Sequence, residues 1–453
     1  MTHIEVAKMI ATEAEKMGWD VFAVGGFVRD TVLEAQSKDL DLEVFGPDSV
    51  ESLIEFLSVF GEVDAVGKSF GVLKLKVNGI DLDVSLPRTE SKDGKGHKGF
   101  VVKSDSKLTP LEASLRRDFT FNALMMKLPE CEIVDLHSGI GDIVNRRLRH
   151  TSEHFADDPL RVLRGMQFCG RFNLTADKET CDLSRSLLPE FEELAKERLW
   201  VEFEKWAVKS VKPSKGLVFL FRSGWLKKFP ELFALVGCEQ SKEYHAEGSV
   251  WQHTKLVVDN ASQIAEREHL NSEHRLILVL AALLHDVGKP NTTDKEVLSA
   301  HQHAREGEEI AQRFLESIDA PKHIVKAVCS MVKHHMSYAT TSSGVRRLSN
   351  NLEVPLSLLM LLMEADTKGR ITNNVNRKSK SFEKIEKMGK MASELNVRDE
   401  KPQPILMGRH LIEIGMKPGK QFGEILNAAF ELQLDGKINT LEEAKQWLVS
   451  HTN

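Results

Sequence analysis

The 453-residue chain contains no apolar run approaching the ~20 residues that a membrane-spanning helix needs, which sets aside a helical membrane protein. Its opening stretch, MTHIEVAKMIATEAEKMGWD, lacks a basic start followed by an apolar block, so it reads as an amphipathic helix and not as a signal peptide. Cysteine is scarce. The five residues, at 131, 169, 181, 238 and 329, are odd in number, scattered and without a C-x-x-C pair. That argues against a disulfide frame or a zinc ribbon and for free thiols in a reducing, cytoplasmic setting. A dominant charge is missing too: the formal net charge is −6, so any nucleic-acid surface has to be a local patch. Internal repeats and low-complexity segments are absent. What is present is ordinary globular composition, 41% hydrophobic and 28% charged, in a chain long enough for about two to four domains.

Residues 21–86 alternate strand-like and helix-like stretches. WDVFAVGG and LDLEVFG read as strands, DSVESLIEFLSVFG as a helix capped by Asp48 or Ser49, and FGVLKLKVNGIDLDVSL as a hairpin turning at Asn78-Gly79. The polar, glycine-rich segment 89–100 reads as a mobile loop. From about residue 108 strand signals nearly vanish and helical periodicity takes over. Ten of the 17 histidines fall between Tyr244 and Tyr338. A loop rich in Asn, Lys and Ser (372–381) then precedes a helical tail.

Asp39 and Asp41 stand two apart in an apparent strand, so both project from one face while Leu40 and Leu42 project from the other. A bare D-x-D is most often a solvated edge. Here it follows Gly25-Gly26, a turn opening a helix, whose backbone N–H groups suit phosphate. Asp81 and Asp83 repeat the spacing on the hairpin. Like charges this close repel, and the economical use of such a cluster is to hold Mg²⁺ beside a nucleotide's phosphates.

GGFVRD…DLD, LRRDFTFNAL (115–124) and DDPLRVLRGMQFCGRF (157–172), in that order, resemble the motifs of class II tRNA nucleotidyltransferases, the CCA-adding enzymes, whose head domain is shared with bacterial poly(A) polymerases. The resemblance covers roughly the first 235 residues. It implies that Asp39, Asp41 and, through DVSLPRTE, Asp83 are catalytic and bind Mg²⁺, with Asp81 the lesser choice. It implies that Gly25, Gly26, Arg29 and Asp30 bind triphosphate and sugar. Arg117, Asp118, Asn122, Asp158, Arg161 and Arg164 complete the implied nucleotide site, with Asp158 and Arg161 reading the base. The chemistry agrees: cytosine and adenine both set an amine donor beside a ring-nitrogen acceptor, matching a carboxylate and a guanidinium, whereas uracil and guanine present a carbonyl there. Asp158-Pro159 is equally a good helix cap, and Arg161 a simple i+3 partner. Gln167 stands where the family usually has arginine, and Asp157 where it has glutamate. Between Leu86 and Lys127 nine Lys/Arg face five Asp/Glu, and between Ile143 and Arg171 six Arg face three acids, two local patches suited to RNA or simply to solvent.

In the later half, WQHTK supplies His253, LLHDVGKP supplies His285 and Asp286 after a strongly apolar helix, and EADTKGR supplies Asp366. A buried acid beside a histidine needs a partner, and imidazole with carboxylate suits a metal centre. The order H…HD…D resembles HD-domain metal-dependent phosphohydrolases, found in a subset of bacterial CCA-adding enzymes. That resemblance implies that His253, His285, Asp286 and Asp366 bind a divalent metal whose identity the sequence leaves open. His301, His303, His334 and His335 are weaker candidates, and Lys289 suits a substrate phosphate or an exposed helix end.

The expectation is an α+β fold: a nucleotidyltransferase head with a mixed sheet (1–140), then an all-α remainder of base-recognising neck (141–240), HD phosphohydrolase domain (241–380) and helical tail (381–453). The implied partners are tRNA, CTP and ATP, with no membrane; monomer and dimer stay open. A poly(A) polymerase, an enzyme adding only C or only A, and an HD phosphohydrolase with a non-catalytic RNA-binding N-terminal half remain as alternatives.

Overall fold

The computed structural model describes all residues except 36–38, 65–70, 93–99, 106, 295, 297, 373–374 and 453. Thr2 starts the first helix. Its hydroxyl accepts from the Glu5 N–H and the Glu5 carboxylate accepts from the Thr2 N–H, a reciprocal cap that satisfies two otherwise unpaired donors. The helix, α1 (His3–Glu15), buries Val6, Ala7, Ile10, Ala11 and Ala14 at helical spacing. Then come β1 (Asp20–Val24), α2 (Gly26–Val32), β2 (Asp41–Phe45), α3 (Val50–Leu57), β3 (Glu62–Asp64), β4 (Val72–Val77) and β5 (Ile80–Ser85). Ser49 caps α3 by accepting from the Ser52 N–H. Asn78 and Gly79 have φ of 50° and 80°, the left-handed pair a two-residue hairpin loop requires, and Val77 pairs with Ile80 across them.

β6 (Arg88–Lys92) pairs antiparallel with β7 (Phe100–Ser104), so the loop expected over 89–100 is in part a two-stranded ladder, and its centre, 93–99, lies outside the described residues. Backbone groups make such a ladder, so a polar, glycine-rich sequence does not announce it. After α4 (Pro110–Ser114), β8 (Met125–Leu128) and β9 (Glu132–Val134) complete a seven-stranded sheet in the order β3-β4-β5-β2-β1-β8-β9. Only β2 and β5 are parallel neighbours; the sheet is mixed. The expected loss of strands beyond 108 is therefore corrected. Met125 packs with Phe22, Val24, Phe45 and Ala113 on one face, and Met126 and Leu128 join the larger core on the other. A strand buried on both faces shows no alternation to read.

α5 (Gly139–Val144), β10 (Arg147–Leu148), α6 (Leu160–Phe172), β11 (Thr175–Ala176), α7 (Lys178–Ser186), α8 (Lys196–Lys209) and α9 (Pro213–Arg222) follow, with β10 and β11 forming a short parallel pair. The chain divides into two compact units. The first holds 1–206 and 215–225; the second holds 207–214 and 226–453. In the first, Phe119 and Phe121 pack against Phe155 and Phe168 with ring centroids 5.4–5.8 Å apart, which fixes segment 115–124 against α6.

The second unit is helical: α10 (Pro230–Phe233), α11 (Val250–Arg267), α12 (Ser272–Leu284), α13 (Lys289–Thr292), α14 (His303–Ser317), α15 (Lys322–His334), α16 (Ser342–Asn351), α17 (Leu356–Gly369), α18 (Val375–Glu394), α19 (Gly408–Glu413), α20 (Lys420–Leu434) and α21 (Leu441–Thr452). α12 is buried along Leu276–Leu284 and is packed by α11, α15 and α17, which explains why its sequence is apolar all round. The loop expected over 372–381 is mostly the start of α18. Lys378 donates to the Lys368 and Arg370 carbonyls, satisfying the end of α17, so this polar stretch caps one helix while beginning the next. Leu406, Leu411, Ala429, Ile438, Ala444 and Leu448 form a small core under the last three helices. Among the described residues, no helix is long and apolar enough to cross a membrane. The five cysteines are free thiols.

Candidate active sites

Strand alternation in β2 sends Leu40, Leu42 and Val44 into the core with α1 and α3, and leaves Asp39 and Asp41 exposed on the other face. Asp83 sits directly beside Asp41 across the parallel β2–β5 ladder, whereas Asp81 lies opposite Lys76. Although its side chain reaches solvent, partial desolvation in the cavity it lines pushes the Asp41 carboxyl up; Arg117 opposes this, and the charges of Asp83 and Asp39 push it further up. A cation among the three would relieve that repulsion. Glu43, next on the same face, was missed from sequence. It is buried and takes Arg116 at 2.7 Å and Arg117 at 3.8 Å. The i+2 spacing from Asp41 was the available signal.

Gly25 has φ 71°, and a Cβ there would stand 3.2 Å from Arg117 Nη1 and 3.9 Å from Asp41 Oδ2, so the turn needs glycine for conformation and for closeness. From α2, Arg29 donates to Asp30 Oδ1 (2.8 Å) and to Asn122 Oδ1 (2.7 Å). Asn122 donates to Asp118 Oδ1 (3.0 Å), and Arg164 donates to Asp118 Oδ2 (2.7 Å). One hydrogen-bonded chain thus joins three motifs far apart in sequence. Arg29 and Arg164 also lie over the Phe168 ring, and Arg171 over Phe172.

Asp158 does cap α6, accepting from the Leu160 N–H at 3.0 Å. Its other oxygen takes Arg198 at 2.8 Å. The Arg161 guanidinium donates instead to the His154 and Arg116 carbonyls, at 2.6 and 2.7 Å. The expected Asp158–Arg161 side-chain pair is therefore replaced by Asp158–Arg198. Only the packing of α8 brings Arg198 there, and no local signal marks it. These groups surround a cavity of about 490 Å³, lined by Gly25, Gly26, Arg29, Asp41, Arg117, Asp118, Asn122, Asp158, Arg161 and Arg164, and also by Arg88, Arg116, Leu160 and Arg198. Asp30, Asp39 and Asp83 are not among its lining residues. Seven arginines against three aspartates suit a polyanion.

Burial alone would raise the Asp118 carboxyl, but Arg164 and the Asn122 amide outweigh it and hold it below its usual value. Arg164→Ala is expected to lower stability by about 3 kcal/mol, the low end for a broken buried pair, because Arg164 is itself partly exposed. The loss should be full near neutral pH. It should disappear as the pH falls from the ordinary carboxylate value of ~3.9 through the depressed folded value, since a protonated Asp118 no longer needs Arg164. Urea unfolding of both proteins at several pH values checks this.

In the second unit, three ligand groups each draw their donor atoms within 4.8 Å of one another: His245, Glu247 and His253; His253, His285 and Asp366; and Asp286, His303 and His335. His285, His303 and His335 each direct Nδ1 at a backbone carbonyl three residues back, at 2.9, 2.8 and 2.7 Å. A carbonyl only accepts, so Nδ1 carries the proton and Nε2 presents a lone pair. His303 Nε2 and His335 Nε2 face each other at 3.2 Å, and the buried His285 Nε2 has no hydrogen-bond partner, while Asp286 Oδ2 lies 2.6 Å from the Lys289 ammonium. Burial lowers His303, and burial with neighbouring His285 takes His335 down to about 3, so both are neutral as ligands must be. The donor set fits a metal. Burial opposes the charge on Asp286, yet the Lys289 ammonium beside it helps hold its carboxyl well below the usual range. Lys289 lies 2.6 Å from Asp286 and also donates to Gln240, so it is no exposed helix end. His301 and His334 belong to none of the three groups. A Cβ on Gly288 would collide with His303 O and Gly307 N; this glycine lets α14 bring His303 against Asp286.

The family model of the poly A polymerase head domain matches residues 21–149, and that of the HD domain matches residues 250–368. A multifunctional CCA protein from Mannheimia succiniciproducens is 33% identical over 370 residues, covering 77% of this chain and 84% of that protein. One from Xanthomonas axonopodis pv. citri is 30% identical over 426 residues, covering 90% and 96%. The fold is similar to the Bacillus stearothermophilus CCA-adding enzyme in complex with CTP (TM-score 0.64, 19% identity, 100% and 98% covered). It is also similar to the Thermotoga maritima CCA-adding enzyme complexed with tRNA (TM-score 0.59, 19% identity, 99% and 95% covered). With identity of this level running through both compact units, the chain belongs to the multifunctional CCA protein family, joining a poly(A) polymerase head to an HD domain.

Proposed function

We propose that the first unit adds CCA to tRNA 3′ ends from CTP and ATP without a template, releasing pyrophosphate, and that the second is a metal-dependent phosphohydrolase, acting as a phosphatase and 2′,3′-cyclic phosphodiesterase. The protein works in the cytoplasm, where tRNA is matured. The observation that carries the first reading is the arginine-lined cavity, which gathers the Gly25 turn, Asp41 and both downstream motifs around one small volume.

In this reading the arginines neutralise the triphosphate, and the Gly25-Gly26 turn brings backbone N–H groups to it. Asp39, Asp41 and Asp83 would hold Mg²⁺. Divalent ions there supply activation of the tRNA 3′-hydroxyl and stabilisation of charge at the α-phosphorus. Asp158 offers an acceptor to the exocyclic amine of C or A, and Arg198, 2.8 Å from it, offers donors to the ring nitrogen, with Arg161 held beside them by backbone carbonyls. U and G would set a carbonyl against the carboxylate and leave buried partners unpaired. Around Asp286, the two imidazole–carboxylate groups would hold divalent metal, and Lys289 and Arg370, the latter 3.2 Å from Asp366, balance their charge and can meet a substrate phosphate.

The test uses tRNA lacking its CCA end. Labelled CTP alone should extend it by C residues, ATP alone should not extend it, and both together should give CCA. Omitting Mg²⁺ should stop all three reactions. Runs of A from ATP alone would favour a poly(A) polymerase. Extension by neither nucleotide would favour a non-catalytic RNA-binding half.

A further inference from the structure

We propose that Glu247 is the positioning residue of the HD centre, fixing which nitrogen of His253 carries its proton and tying the segment before His253 to the end of the helix that bears Asp366. The inference rests on the reading of this unit as a metal-dependent phosphohydrolase. Glu247 Oε1 accepts from His253 Nδ1 and from His245 Nδ1, each at 2.8 Å. Its Oε2 accepts from the Ile371 backbone N–H at 3.0 Å. The next link is pure backbone: the Ala246 N–H donates to the Ile371 carbonyl at 2.7 Å. Ile371 follows Asp366 by five residues, just past the end of α17, while His253 sits in the first turn of α11. One carboxylate therefore spans both ligand-bearing helices.

The Glu247 side chain is 2% exposed, so water does not replace these contacts. An ionised carboxylate can only accept, so Nδ1 donates to Glu247, while Nε2 faces Asp366 Oδ1, 2.9 Å away, and is the nitrogen that would give up its proton to a metal bound between them. This is the outer-shell arrangement that orients a metal-binding imidazole. It matches the other three histidines of the centre, which reach the same tautomer through backbone carbonyls. Among the described residues no such carbonyl meets His253 Nδ1; Glu247 takes its place. Glutamine cannot substitute. Its single oxygen must serve three donors, and an amide N–H turned to His253 Nδ1 would drive the proton to Nε2, the atom a metal needs.

The full-length protein is titrated with Co²⁺ by calorimetry and visible absorption, as wild type, Glu247→Gln, Glu247→Asp and Asp286→Asn. Glu247→Gln is expected to weaken Co²⁺ binding about 10- to 100-fold, and Glu247→Asp, still an obligate acceptor, to recover part of the loss. A measurement on the wild type alone stands beside these: in the Zn²⁺-loaded protein, ¹⁵N-histidine spectra should show His253 protonated at Nδ1 and metallated at Nε2. Wild-type binding lost in Asp286→Asn but unchanged in Glu247→Gln, or His253 metallated at Nδ1, overturns the role of Glu247 and leaves the metal reading standing. No Co²⁺ uptake by the wild type overturns both.

Discussion

Asp41→Asn is expected to abolish nucleotide addition, by about 10³-fold or more, without destabilising the protein. The loss follows from position. Asp41 is the one member of the aspartate trio that lines the arginine-rich cavity, and it stands beside Asp83 in the ladder and close to the Gly25 turn. In the proposed reaction Asp41 would be a Mg²⁺ ligand, and removing its charge would forfeit several kcal/mol of transition-state stabilisation. The stability sign is opposite to that of Arg164→Ala. Burial and the neighbouring Asp83 and Asp39 raise the Asp41 carboxyl, so the folded state favours its protonated form. Its ionisation therefore costs stability once the pH rises above the ordinary carboxylate value of ~3.9, and asparagine removes that cost near neutrality. Gel analysis of tRNA extension together with thermal melting checks both halves. A variant that loses activity only because it unfolds would refute the account.

The second large effect is expected at Asp286. Asp286→Asn should remove hydrolysis of phosphomonoesters and 2′,3′-cyclic nucleotides, again by about 10³-fold or more, while tRNA extension continues. Asp286 is 2% exposed and is the anion around which Lys289 (2.6 Å), His285 (3.2 Å), His303 (3.4 Å), His335 (3.8 Å) and His253 (3.9 Å) gather. It is the carboxylate common to both sides of the centre. Unlike Asp41, its charge is strongly favoured in the fold, so asparagine should also lower the melting temperature, because it strands Lys289 without its anion. Phosphate release and tRNA extension measured on one preparation separate the two reactions. Hydrolysis that persists in Asp286→Asn while Asp41→Asn eliminates it would assign both chemistries to the first unit.

Much of the molecule was legible in the chain itself, because local physics decided it. The Asn78-Gly79 turn, the Ser49 cap, the apolar α12 and the face shared by Asp39 and Asp41 each depend on a few adjacent residues, and the structure carries all of them. Elements whose identity depends on burial were not legible. β8 is covered on both faces and shows no period, and β9, only three residues long, is too short to show one. β6 is a polar strand made by backbone pairing. The start of α18 resembles a linker because its lysine serves another helix.

The same division runs through the two sites. Sequence by itself determined the chemistry on offer: paired carboxylates after a glycine turn, an Asp-Pro cap with arginines following, and histidines clustered around HDVGK. Tertiary structure alone decided who meets whom. It gave Asp158 to Arg198, spent Arg161 on backbone carbonyls, placed Glu43 under Arg116, and brought His303 and His335 to Asp286 while leaving His301 and His334 aside. The physical reason is that a donor's type is fixed by its side chain, whereas its partner is fixed by packing between segments tens to hundreds of residues apart, where burial makes every unpaired group costly and so selects one arrangement.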